Sequence, residues 1–79
     1  METKNGNRDH GEIVMYDASR SFGFIQPDAG GVDIFFHINA VDDRVLPHKI
    51  VPGARVTFVA DIAKNKKGYR AQNVKLEKD

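Results

Sequence analysis

The residues able to do chemistry crowd into one stretch. Residues 19–40 read SRSFGFIQPDAGGVDIFFHINA and hold Phe22, Phe24, Phe35 and Phe36, four of the chain's five phenylalanines, together with His37, one of its three histidines. Acid–base or metal chemistry would have to use Asp33, His37 and His48. Asp33 and His37 lie four apart in an extended segment, so their side chains stand ~13 Å apart, too far for a catalytic pair or a shared metal. The chain has no cysteine, which excludes a thiolate zinc site and a disulfide framework. FGF has a single glycine and no nucleophile elbow is present. DAGG reads as a hairpin turn, with Gly30 and Gly31 supplying positive φ, and not as a phosphate cradle. The expectation is therefore a binding protein: not an enzyme, with no metal, no cofactor and no small-molecule substrate.

Binding residues need elements to hold them. At 79 residues the chain is one small domain with a thin core. METKNGNRDH lacks periodicity and an apolar leader core, and is expected to be a disordered tail over residues 1–10, ahead of a domain over 11–77. Strands are predicted in GEIVMYD (11–17), FGFIQ (22–26), VDIFFHI (32–38), ARVTFVADI (54–62) and YRAQNVKL (69–76). The last reads as strict alternation, with Ala71, Asn73 and Lys75 opposite Arg70, Gln72, Val74 and Leu76. The connection from Asn39 to Pro52 is broken by Pro47 and has room for one helical turn near Val41. No helix-length apolar pattern and no membrane span is present. Closing five short strands on themselves removes their exposed edges. The expected fold is all-β: a five-stranded antiparallel Greek-key barrel of the oligonucleotide-binding type, with an SH3-like barrel as the structural alternative.

Alternation along the strands sorts the rings. Phe22 and Phe24 share a face, with Ile25 on the other. Phe35 and His37 share a face, opposite Ile34, Phe36 and Ile38. One core cannot take both sets. The aliphatic set is the better core, because burying His37 without partners is costly. Phe22, Phe24, Phe35 and His37 then face outward, and Gly23 lets the sheet bend between the two phenylalanines. Alternation alone also admits the reverse, with Phe22 and Phe24 inward and Ile25 exposed. Tyr16 reads as a core or half-buried residue.

Outward rings beside cations suit unpaired bases, each stack contributing ~1–3 kcal/mol. The net charge is only +1, but residues 64–70 read KNKKGYR, with four cations and no acid, and Arg20 precedes FGF. This points to single-stranded RNA or DNA, with Arg20, Lys64, Lys67 and Arg70 near phosphates.

The segments GEIVMYDASRSFGFIQP from Gly11 and DIFFHINAV from Asp33, followed by GARVTF and AQNVKL, resemble the cold-shock domain from Gly11 to Leu76. That resemblance implies an oligonucleotide-binding barrel that binds single-stranded RNA and DNA, in a family several of whose members act as RNA chaperones. By motif position the family's stacking residues fall on Phe22, Phe24, Phe35 and His37. Its lysine before the first motif is matched by Arg20, and its basic residue in the last turn by Lys67. The departures are concentrated in the first strand, where Val14 replaces a lysine and Met15 a tryptophan. Ser21 stands for a glycine and Ile38 for a frequent aromatic, and His48 is the only flat ring in the long loop. Met15 offers a soft apolar contact to a base but no ring. At ~1–3 kcal/mol per lost stack, binding is expected to be weaker by several orders of magnitude. The same substitutions make the face more aliphatic, so the alternative is a protein-interaction module on a cold-shock scaffold. The expected setting is cytoplasmic, as a monomer, with a dimer also compatible.

Overall fold

The computed structural model of the protein describes residues 8–62 and 69–77. Within them five strands form a closed barrel: β1 (Asp9–Asp17), β2 (Phe22–Pro27), β3 (Ile34–His37), β4 (Arg55–Ile62) and β5 (Tyr69–Leu76), in the order β1-β2-β3-β5-β4 with β4 paired back onto β1. Four pairings are antiparallel, and the barrel closes through a parallel contact between β3 and β5 at Phe35 and Arg70. This is the expected all-β barrel. The long connection carries two 3-10 turns, Ile38–Ala40 and Pro47–Lys49. Pro47 opens the second, where its missing N–H has no partner to lose. No helix among the described residues is long and apolar enough to cross a membrane.

The core is the aliphatic set. Ile13, Ile25, Ile34, Phe36, Ile50, Val56, Phe58, Ala71 and Val74 are buried together, with no buried polar residue among those described. In β2 and β3 the period-two pattern holds, with Ile25 and Phe36 fully shielded from water. The reverse arrangement, with Ile25 outward, is thereby overturned.

Two strands depart from simple alternation. In β1 the pairing with β2 runs from Ile13–Ile25 to Met15–Phe24, so Val14 is an extra residue. Val14 and Met15 are accordingly both exposed, at 41% and 38%. In β5 the strict alternation expected from YRAQNVKL fails. Ala71 and Val74, three apart, both point into the core, and Asn73 between them has φ 53°. Asparagine tolerates this left-handed conformation better than most residues. The bulge is clamped from outside: Arg8 donates to the Asn73 side-chain oxygen at 2.7 Å, to its carbonyl at 2.6 Å, and to the Thr57 hydroxyl at 2.9 and 3.1 Å. β1 also starts two residues before the expected strand. His10 is part of it and bonds Glu77 at 2.8 Å, so it is a strand residue and not a solvated tail residue.

Gly23 explains how β1, β2 and β3 approach closely. A Cβ there would collide with the Met15 carbonyl oxygen and lie 2.9 Å from the Phe36 ring. Only glycine lets β1 cross over β2 at this point while Phe36 fills the space beneath.

Candidate nucleic-acid interface

Register places the outward residues in two rows across the barrel. The first runs Met15, Phe24, Phe35, Arg70, each paired with the next across β1, β2, β3 and β5. Asp61 on β4 extends it beyond Arg70. The second runs Asp17, Phe22, His37 across β1, β2 and β3. Strands lie ~4.8 Å apart, so neighbours in a row stand side by side.

The three phenylalanines pack into one cluster on the outside of the sheet. Phe22 and Phe35 are offset-stacked with centroids 5.6 Å apart; Phe24 meets Phe22 edge-on at 5.8 Å and Phe35 edge-on at 6.1 Å. Each is half-buried, against full burial for Phe36 on the opposite face of β3. Such mutual contacts orient the rings without covering them. Tyr16 belongs to the other side: it stacks on Phe36 at 6.0 Å and lines the core, as its half-buried reading anticipates.

His37 ends β3 and is exposed. Its Nδ1 accepts a hydrogen bond from the Asn39 backbone N–H at 3.1 Å. This fixes the ring plane and leaves Nε2 to carry the proton of the neutral ring, as a donor aimed away from the turn. His37 thereby caps the first 3-10 turn, Ile38–Ala40.

The cations divide. Arg20 is 75% exposed, with Nε 3.8 Å from the Asp17 carboxylate, a loose pair that a phosphate can replace. Asp17 itself is held below its ordinary pKa chiefly by the Ser19 hydroxyl at 2.6 Å, aided by the Ser19 and Arg20 N–H groups. It stays a carboxylate at the edge of the face. Ser21 turns the chain into β2 in the left-handed region, φ 63°. Arg70 is half-buried on the β3–β5 seam, and its Nε is shut off from water without a hydrogen-bond acceptor. Lys64 and Lys67 lie outside the described residues. The structure thus gathers Met15, Phe22, Phe24, Phe35, His37 and Arg70 on one surface, with Arg20 at its border. Sequence reasoning missed Asp17, Asp61 and Gln72 beside them. Gln72 could have been found from its period-two relation to Arg70, ahead of the bulge.

The family description "'Cold-shock' DNA-binding domain" matches residues 9–77. The chain belongs to the cold-shock DNA-binding domain family. Cold shock protein CspA of Rhizobium meliloti is 39% identical over 61 residues, covering 77% of this chain and 84% of that protein. Cold shock-like protein CspE of Escherichia coli is 34% identical over 64 residues, covering 81% and 88%. Among solved structures, Drosophila Unr CSD456 superposes with a TM-score of 0.69 at 24% identity, over 89% of this chain and 26% of that one, a likeness of fold. Nucleic-acid binding is the general property that cold-shock membership brings. Within this cold-shock domain the first strand carries a bulge at Val14, between the Ile13–Ile25 and Met15–Phe24 pairs.

Proposed function

We propose that this cold-shock domain binds single-stranded RNA or DNA with low sequence specificity, as an RNA-chaperone-like protein. Unpaired bases stack on Phe22, Phe24, Phe35 and His37, with Met15 as an apolar contact at one end of the row. Arg20 and Arg70 border the path of the strand; Lys64 and Lys67 join the phosphate contacts on sequence grounds. The observation that carries this reading is the three-ring cluster held half-open on the outer face while the aliphatic residues of the same strands fill the core. Every base offers a π-face, so stacking tolerates sequence, and a duplex has its faces already engaged. A strand that stacks its bases here cannot pair at the same time, which is how such a surface melts weak secondary structure.

The test is anisotropy of a labelled short oligothymidine or oligouridine, titrated with protein at two salt concentrations. Saturable binding that weakens with salt, at a slope of ~0.7 per phosphate contact, and that disappears in the Phe22→Ala, Phe24→Ala double variant, supports the reading. A folded domain that binds no oligonucleotide up to high micromolar protein overturns it. That outcome favours a protein partner instead, for which the exposed Val14 and Met15 would be the contact.

A further inference from the structure

The β3–β5 seam contains a recess of about 340 Å³, lined by Phe35, His37, Asn39, Ala40, Arg70 and Gln72 among others. It opens where the two strands part beyond their Phe35–Arg70 pairing. Beside the Asn39 amide, which offers both donors and an acceptor, its polar groups lean toward donors. Arg70 can only donate. The His37 ring, with Nδ1 already accepting from Asn39, donates from Nε2. The Gln72 amide adds two donors beside its one acceptor oxygen. The Arg70 Nε is a buried donor with no acceptor, and such groups in native proteins call for an explanation.

We propose that this recess reads the edge of the base stacked on Phe35, with Arg70 as the specificity-determining residue and guanine as the preferred base. The proposal rests on the stacking reading above and names what that face selects. Arg70 is the direct cross-strand neighbour of Phe35, so a base lying over the Phe35 ring brings its edge over the guanidinium. Guanine presents two adjacent acceptors, O6 and N7, that match the planar fork of arginine. Adenine puts a donor next to N7, and thymine or uracil puts a single carbonyl there. An unpaired base is free to present that edge, as a base in a duplex is not.

The experiment is competition binding with an oligothymidine heptamer and heptamers in which a single dG, dA, dC or 7-deaza-dG is moved along the strand. The proteins are wild type, Arg70→Lys, Arg70→Gln and the Phe22→Ala, Phe24→Ala double variant, each checked for a cooperative melt. The expected result is about tenfold tighter binding of the dG strand at one position. Most of that preference disappears with 7-deaza-dG, a control that needs no protein variant. In Arg70→Lys the ratio of dG-strand to oligothymidine affinity falls to about one, because lysine is a point charge without the fork. A wild-type protein that binds oligothymidine but ranks all four bases equally overturns this inference and leaves the stacking reading standing. So does an Arg70→Gln variant that weakens every strand alike and lowers the salt slope by ~0.7, which marks a phosphate contact. Absence of binding to every strand overturns both.

Discussion

Two arginines on the neighbouring strands β4 and β5 are used in contrasting ways. Arg55, at the start of β4, donates to Asp28 at 2.9 Å and to Glu77 at 3.2 Å, and His10 meets Glu77 at 2.8 Å. This network ties the start of β1, the turn after β2 and the residue after β5 into one closure. Arg70 stands beside Phe35 with its Nε unmet. Where the barrel must close, charges are satisfied within the molecule. Where a ligand is proposed to sit, rings are left half-open and a cation is left incomplete. Charge count does not make this distinction: the chain is nearly neutral, and only the pairing shows which cations remain for a partner.

The sharpest way to separate the two regions is to strip the rings. Phe22→Ala with Phe24→Ala is expected to remove two stacks, ~2–6 kcal/mol of binding, in the anisotropy assay. Stability should change far less, because the buried core lies on the other side of the same strands. A double variant that melts early but binds normally would invert the assignment of the two faces. Gly23→Ala strikes both faces at once. Its Cβ would collide with the Met15 carbonyl and the Phe36 ring, so about 3 kcal/mol of stability is expected to be lost, read by thermal or urea denaturation. A neutral result would show that β1 can move away from β2 at little expense.

Met15→Trp works in the opposite direction, adding a ring at the open end of the Phe24–Phe35–Arg70 row. Met15 is 38% exposed and pairs with Phe24, so a ring there extends the platform without entering the core. Affinity for oligothymidine is expected to rise by ~1–3 kcal/mol, with the salt slope unchanged. A variant that folds but gains nothing would show that the bulge at Val14 turns this position away from the bound strand.

Most of the fold and the inward and outward assignment of β2 and β3 were legible, for a physical reason. Where a strand pairs without interruption, period two decides every side chain, and one costly residue, His37, is enough to choose between the faces. Legibility ended where the period broke. The extra residue at Val14 and the left-handed Asn73 arise from strand-to-strand register, which no single segment encodes. Arg8 looked like part of a tail because its partners, Thr57 and Asn73, are 49 and 65 residues away. The recess beside Arg70 was hidden for the same reason: it exists only once β3 and β5, distant in sequence, lie parallel.

A smaller effect is expected at the entrance to β2. Ser21 adopts φ 63°, a region that costs an L-residue ~1–2 kcal/mol, while glycine there loses ~0.5–1 kcal/mol through its freer unfolded chain. Ser21→Gly should therefore stabilise by about 0.5–1 kcal/mol in denaturant melts. Binding through Phe22 should be unaltered, since the Ser21 carbonyl still accepts from the Ile38 N–H at 2.9 Å. A loss of stability would mean that the Ser21 side chain supplies something beyond the turn.

The gentlest test sits on the other side of the comparison, at Arg55. Its hydrogen bonds hold Asp28 below the ordinary 3.8 and Glu77 below the ordinary 4.5, with His10 also lowering Glu77. Because both folded values are depressed, the carboxylates contribute stability above the unfolded pKa values, and that contribution is lost as pH falls through the folded ones. Both groups are open to solvent, so the effect is modest and should shrink with salt. Arg55→Gln is expected to lower the melting temperature slightly at pH 7, with the gap to wild type closing as pH falls below about 4. Oligonucleotide affinity and its salt slope should not move. Were Arg55→Gln to weaken binding as strongly as a change at Arg70, the division between closing charges and ligand-facing charges would fail, and the bound strand would have to extend along β4 to its start.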